Sequence, residues 1–293
     1  MIEAPEDIID CMARLKAEGQ PFAIATVVRT RPATSAKVGA KAVITADGST
    51  AGWVGGGCVE GVVCTAAAQA LSDGQARLVR VQPADAQPVA DGAEEFKSIC
   101  PSGGTAEVFV EPVLPRPSLI VAGASQTACT LCDLGRRLGF AVTVATLPGD
   151  LGKMPEVDLR LDGFDFTMVP AAAAGYVVVA TQGKRDREAL AAAIACSAPF
   201  VAFVGSRRKA AKLKKELIDR GADPARVNAI RSPAGLDIGA VTPEEIALSI
   251  LAEIVQARRS AHSVAPVEQT LDEDVSVTAP VIDPAAVGCC AED

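Results

Sequence analysis

Apolar residues recur at three- and four-residue spacing from Pro5 to Glu18, where Ile8, Ile9, Met12 and Leu15 predict an amphipathic helix. The period then shortens. Phe22 to Val28 is apolar and β-branched and reads as a buried strand, and Lys41 to Thr45 reads as a second. Asp47-Gly48 predicts a hairpin returning through Gly52 to Val54. Val59 to Leu71 reads as an Ala-rich helix stopped by Asp73-Gly74. Strands follow at Ala76 to Val81 and Ala106 to Pro112, with polar, turn-rich Gln82 to Lys97 between them read as surface.

A second rhythm begins after Pro112, Pro115 and Pro117. Ser118 to Ala122 is a short apolar run, followed by a glycine turn, a helix to Leu138, Gly139, and a strand from Ala141 to Thr146. Further runs at Tyr176 to Ala180 and Phe200 to Val204 each lead into a helix. Strands alternating with helices predict a parallel, doubly wound sheet. Thr242, Pro243 and Glu245 form a capping box opening the last helix, Pro243 to Arg259. The predicted fold class is therefore α/β: a small N-terminal α/β domain (1–115), a C-terminal Rossmann-like doubly wound sheet (116–262) and an acidic, disordered tail (263–293).

Composition changes this picture in few places. The chain is 49% hydrophobic but only 3% aromatic, so its cores must be built from Ala, Val, Ile and Leu. Of its 36 acids, seven lie between Ser263 and Asp293, which leaves 29 acids against 28 bases in the rest. The net charge of −8 thus belongs to the tail, and nothing favours nucleic acid as a partner. No apolar run reaches the ~20 residues a membrane span needs, and the acidic N-terminus is unlike a signal peptide, so a cytoplasmic protein is expected. Nine cysteines, an odd number at irregular spacing, read as free thiols. Cys129-x-x-Cys132 has no second pair beside it to make a zinc site. The single histidine, His262, sits at a domain edge, which removes histidine chemistry from the body.

Candidate chemistry gathers at glycine turns. Gly55-Gly56-Gly57-Cys58-Val59-Glu60 opens a helix with three glycines, a thiol and a carboxylate. Such a turn offers close backbone approach and a positive dipole end to an anion. A second thiol–glycine turn, Cys100-Pro101-Ser102-Gly103-Gly104, precedes the strand at Ala106. The loop carrying Ser35, Lys37 and Lys41 supplies cations on neighbouring strands. In the second half, Gly123-Ala124-Ser125-Gln126 is a poor dinucleotide fingerprint, keeping only the first glycine and followed by no acid at the end of the next strand. Ser206-Arg207-Arg208 opens another helix, with a cap and two cations that suit phosphate. The Cys289-Cys290 pair closes the tail.

Taken together, Gly55-Gly-Gly-Cys-Val-Glu60, Gly39-Ala-Lys41, Gly103-Gly104…Glu107-Val-Phe-Val-Glu-Pro112, Gly205-Ser-Arg-Arg-Lys209 and Gly235-Leu-Asp-Ile-Gly-Ala…Thr-Pro-Glu-Glu-Ile-Ala-Leu-Ser-Ile-Leu-Ala-Glu253 resemble motifs of XdhC/CoxI-family proteins. The resemblance runs from about Ala23 to Arg259. It implies an accessory protein that holds molybdenum cofactor, as molybdopterin or its dinucleotide form, assists its sulfuration with a cysteine desulfurase, and helps insert it into an apo molybdenum hydroxylase. The Cys100-Pro-Ser-Gly-Gly version resembles the CO dehydrogenase branch more than plain Cys-Gly-Gly members. Where many relatives carry Gly-x-Gly-His-x-Gly, this chain has Gly123-Ala-Ser-Gln-Thr-Ala128 without the histidine; where many carry Pro-Arg, it has Thr34-Ser35-Ala36-Lys37.

The residues expected to act are Cys58, Glu60 and Cys100, with Cys58 and Cys100 as soft donors to metal. Ser35, Lys37, Lys41, Gly55, Gly56, Gly57, Ser102, Gly103, Gly104, Gly123, Ser125, Gln126, Ser206, Arg207 and Arg208 are the expected cofactor contacts. An NAD(P)-dependent oxidoreductase and a cofactor-free scaffold for apoenzyme maturation are the alternatives, and a homodimer stays open.

Overall fold

The computed structural model describes residues 7–31, 34–87, 89, 91–98, 104–169, 175–196 and 198–261. The first sheet carries β1 (Phe22–Thr30), β2 (Lys41–Thr45), β3 (Thr50–Gly52), β4 (Arg77–Pro83), β5 (Glu94–Ser98) and β6 (Ala106–Val113), in the order β3-β2-β1-β6-β4-β5. Helix α1 (Ile8–Ala17) packs Cys11 and Leu15 against Phe22 and Val43 on one face. Helix α2 (Gly57–Asp73) covers the other face with Val59, Val63 and a row of alanines, against Ala23, Ala25, Val27, Val79, Val81 and Val108. Alternation along each strand sets this division, because successive side chains point to opposite faces.

The hairpin at Asp47-Gly48 forms as the sequence predicts, with Gly48 at φ 84°. Gly74, at φ 72°, ends α2. Pro112 is tolerated inside β6 because pairing with β4 stops at Val110, leaving its N-side edge free.

One expectation holds only in part. The described residues between 84 and 93 are largely exposed and turn-rich, as read, but Gln82 is buried within β4 and Glu94–Ser98 is β5, parallel to β4. The connection between them lies over the face opposite α2. It is pinned there by Arg80, whose guanidinium reaches Glu107 at 3.1 Å, Glu95 at 3.4 Å and Asp91. A buried cation ringed by carboxylates takes the place of an apolar contact, and a charged sequence hides it.

The second sheet carries β7 (Ser118–Ala122), β8 (Ala141–Thr146), β9 (Leu159–Asp162), β10 (Tyr176–Val179) and β11 (Phe200–Phe203), all parallel, in the order β11-β10-β7-β8-β9. The first strand of this half, β7, sits at the centre, and the chain passes to β8 and β9 on one side and then to β10 and β11 on the other. That reversal puts a switch point between β7 and β10, as in dinucleotide-binding folds. Helices α3 (Gln126–Arg137), α4 (Pro148–Leu151), α5 (Asp186–Ala195), α6 (Arg207–Asp219), α7 (Pro224–Asn228) and α8 (Pro243–Ala261) complete this half. The capping box forms: Glu245 N donates to Thr242 Oγ1 at 3.2 Å, and Thr242 N to Glu245 Oε2 at 3.0 Å. Glu253 accepts from Arg231 and from Gly235 N, each at 2.8 Å, and so anchors the glycine-punctuated loop before α8. Among the described residues no helix is long and apolar enough to cross a membrane.

Candidate functional site

The first glycine turn stands at one end of the first sheet. Gly55, at φ 146°, folds back on Val59, whose side chain fills the space a Cβ would need. Gly56 and Gly57 are different. Gly56 has φ −70°, Gly57 is helical, and a Cβ on Gly57 would meet nothing within 4 Å; on Gly56 it would approach only Ser35 Oγ, at 3.8 Å. Neither backbone angle nor packing asks for glycine there. No side chain caps α2; Val59 N donates to the Gly56 carbonyl at 2.8 Å, and the Gly57 and Cys58 N–H groups have no partner among the described residues at the positive end of the dipole.

These residues border a cleft. Thr34 and Ser35 from the β1–β2 loop, Gly56, Gly57 and Cys58 from α2, and Gly104 before β6 line it, with Ser98 at the end of β5. The structure thus brings together Ser35, Gly56, Gly57, Cys58 and Gly104, with the Cys58 thiol exposed. Cys100, Ser102 and Gly103 lie outside the described residues, as do Cys289 and Cys290; the flanks of the second turn, Ser98 and Gly104, are both at the cleft. Glu60 is exposed one turn into α2, and Lys37 is exposed in the loop. Lys41 turns to the face opposite α2, where its ammonium donates to Thr26 Oγ1 at 2.8 Å.

A second cleft opens at the switch point of the parallel sheet, lined by Gly123, Ala124, Ser125, Thr146, Asp150 and Lys184 among others. Here glycine is demanded by the fold: Gly123 has φ 121°, and a Cβ on it would lie 2.5 Å from the Ala180 carbonyl oxygen. Ser125 caps α3 by accepting from Ala128 N at 3.1 Å, and Gln126 reaches Glu244 at 3.4 Å. Ser206 caps α6 by accepting from Lys209 N at 3.3 Å, with Arg207 and Arg208 exposed beside it; none of these three lines the second cleft. The two clefts share no lining residue.

Charges organise the second cleft in a way periodicity does not show. Asp150, just beyond the end of β8, accepts from Lys153 at 2.6 Å and from Lys184, after β10, at 2.9 Å. Those two ammonium groups, Lys153 first, hold its carboxyl down at about 2. The Lys184–Asp150 pair therefore spans the turn after β7 from one side to the other. Nearby, burial works to raise the Asp186 carboxyl, but Lys209, the Thr181 hydroxyl and Gly183 N together keep it below the usual carboxylate range. The only sequence signal for Asp150 is its place four residues beyond a parallel strand.

Thiols of the second half are structural where they are buried. Cys132 is fully buried among Leu131, Val144 and Ile250, and burial pushes its thiol up to about 12. Cys129 packs against Met154 at 3.7 Å, and burial raises its thiol as well. Among the described residues no three His, Cys, Asp or Glu side chains gather as metal ligands.

Two family models match this chain: the XdhC and CoxI family over residues 15–82 and the XdhC Rossmann domain over 119–254. It is 32% identical over 256 residues to YqeB, an uncharacterized protein of Escherichia coli K12, covering 85% of this chain and 46% of that protein. A probable xanthine dehydrogenase component of Bacillus subtilis 168 is 30% identical over 166 residues, covering 53% of this chain and 47% of the relative. The molybdenum cofactor insertion chaperone PaoD of E. coli K12 is 23% identical over 276 residues, covering 82% of this chain and 84% of PaoD. The chain spans about half the length of the first two. With the helix-opening glycine turn of the first sheet and the switch-point strand order of the second both inside the matched stretches, this chain belongs to the XdhC and CoxI family.

Proposed function

We propose that this protein binds a molybdenum cofactor in the cleft at the start of α2 and helps insert it into an apo molybdenum hydroxylase. One observation carries the reading: Gly56 and Gly57 are glycines the fold does not need, at an open helix N-terminus, beside an exposed thiol. The names of two relatives, a cofactor insertion chaperone and a probable xanthine dehydrogenase component, support it.

The residues present suit such a group. A molybdopterin-type cofactor carries phosphate, a flat ring and a metal that accepts soft donors. The N–H groups opening α2 and the Ser35 hydroxyl would hold the anion, the bare backbone at Gly56 and Gly57 would admit the ring, and the Cys58 thiol would face the metal. When bound, the cofactor supplies the molybdenum redox centre to its final enzyme. This chain's own part is to hold the group, shield it and release it. The finer reading adds sulfuration with a cysteine desulfurase and a CO dehydrogenase-type recipient, carried by the Cys100-Pro-Ser-Gly-Gly turn. It also treats the halves on either side of residue 115 as two domains, the break falling between the end of β6 and the start of β7.

The test is anaerobic purification followed by acid–iodine oxidation and pterin fluorescence. Wild type should carry pterin, and Cys58→Ala should carry less while melting normally. A wild-type protein devoid of pterin after co-expression with the cofactor pathway would sink the reading.

The strand order of the second sheet favours a second reading, NAD(P) at the switch point. Against it, Thr146 stands where a ribose-binding acid belongs, and the Lys184–Asp150 pair bridges the cleft. Fluorescence titration with NADH separates the two readings, because tight binding belongs only to the second.

A further inference from the structure

We infer that the second cleft holds a single phosphate group, taken up between the N-terminus of α3, the Thr146 hydroxyl and the Lys184 ammonium. Such a site gives the second half of the chain a ligand of its own, apart from the cofactor in the first cleft and smaller than a dinucleotide.

Thr146 points to it first. Alternation along β8 puts Thr146 on the same side as Val142 and Val144, which pack with Ala128 and Leu131 of α3. It lines the cleft, is only 3% exposed, and its hydroxyl has no hydrogen-bond partner among the described residues. A buried hydroxyl without a partner costs stability, and valine would fill the same space without that cost. Something in the cleft must bond it to offset the difference.

Helix α3 brings donors to the same place. Ala124 and Ser125 line the cleft. The Ser125 hydroxyl satisfies Ala128 N and the Ser125 carbonyl satisfies Cys129 N. The Ser125, Gln126 and Thr127 N–H groups are left with no partner among the described residues, at the positive end of a 12-residue helix.

Lysines add the charge. Lys153 and Lys184 both pair with Asp150, so two ammonium groups share one carboxylate and the cluster carries one positive charge in excess. Lys184 stands on a fixed turn. Its N–H donates to the Thr181 carbonyl at 3.0 Å, and Asp186 closes the turn by accepting from the Thr181 hydroxyl and from Gly183 N. An ammonium has three donor hydrogens, so Lys184 can keep Asp150 and still reach a second anion.

Donors thus outnumber acceptors, which suits an anion with several oxygens around one centre. The cleft, about 50 Å³, has room for on the order of four water-sized groups, which matches one phosphate and leaves none for a pyrophosphate and its riboses. Any organic part of a phosphomonoester would lie outside it.

The test titrates inorganic phosphate, ribose 5-phosphate and NADPH into purified full-length chain in phosphate-free buffer, read by calorimetry. Inorganic phosphate should bind saturably, and more weakly as salt rises. Thr146→Val should weaken it about tenfold at an unchanged melting temperature, and Lys184→Met by at least as much. Thr146→Ser, which keeps the hydroxyl, should bind as wild type. Arg207→Gln and Arg208→Gln, outside the cleft, should change nothing. Should Lys184→Met lower the melt, Thr146→Val decides. Tighter binding of ribose 5-phosphate than of inorganic phosphate makes the phosphate the handle of an organic ligand, and equal affinity makes the ion itself the ligand; both keep the site. NADPH held far more tightly than ribose 5-phosphate would make the cleft part of a dinucleotide site and overturn the inference. So would no saturable phosphate binding, or an affinity that Thr146→Val and Lys184→Met leave unchanged.

Discussion

The glycine turns before α2 and after β7 both open helices and differ in what they are for. Gly123 sits where β7 ends beside the end of its parallel neighbour β10, at φ 121° and with the Ala180 backbone 2.5 Å from any Cβ. Its identity is set by the sheet. Gly57 opens α2 in ordinary helical geometry with open space around its missing side chain. Its identity is not set by the sheet, which is why the proposed cofactor is placed there. The clefts differ in size, about 120 Å³ at the first turn against about 50 Å³ at the second. The cost of adding one methyl separates them further.

The largest effect is expected at Gly123→Ala. Backbone strain and a clash with main-chain atoms that cannot move aside should cost on the order of 4 kcal/mol, seen as a large fall in the urea midpoint. A normal midpoint would mean the turn can relax, and the two glycines would no longer differ in what the fold requires of them.

Next in size is Arg80→Ala. It removes the guanidinium that holds Glu107, Glu95 and Asp91 together beneath β4. Stranding those carboxylates should cost about 3 kcal/mol, measured by chemical unfolding, and Arg80→Lys should recover only part because an ammonium cannot fork to three acids. An effect near zero would show that the connection over β4 is held by something else.

Much of this architecture is legible in the chain and some is not, for physical reasons. The parallel sheet announces itself because Ser118–Ala122 and Tyr176–Val179 are largely buried on both faces and read as unbroken apolar runs. The capping box at Thr242 is local chemistry and needs no tertiary knowledge. Strand β5, Glu94-Glu-Phe-Lys-Ser98, is hidden because Phe96 is its one residue in the apolar core while Glu95 is used as a partner for Arg80. Of the candidate site, the convergence of Ser35 with Gly56 and Cys58 is readable from strand adjacency. The Lys184–Asp150 pair is not, since 34 residues separate its members and only the strand order joins them.

That pair gives a smaller, pH-dependent effect. The Asp150 carboxyl is held at about 2 in the folded protein against 3.8 as the ordinary value. A depressed carboxylate contributes stability above its unfolded value and loses it as pH falls. The melting temperature of wild type should therefore exceed that of Asp150→Asn most clearly above pH ~4, and the gap should close between pH ~4 and ~2. A gap independent of pH would mean that packing, not charge, holds the Lys184 bridge. Asp150→Asn also probes the second cleft. If the bridge alone bars a dinucleotide, the variant gains NADH binding; if Gly123 is purely architectural, it gains none.

The smallest change in stability is expected at Gly57→Ala, and it decides the most. Alanine is the better helix former by up to ~1 kcal/mol and meets no neighbour, so the protein should melt at or slightly above the wild-type temperature. The added methyl nevertheless stands at the lining of the cleft, where a bound ring would pass. Pterin content per chain should fall severalfold while the fold is untouched, the opposite pattern to Gly123→Ala. Full loading in a stable Gly57→Ala protein would leave the first turn with no more claim to the cofactor than the second. The exposed Cys58 thiol would then have to be explained without the glycines beside it.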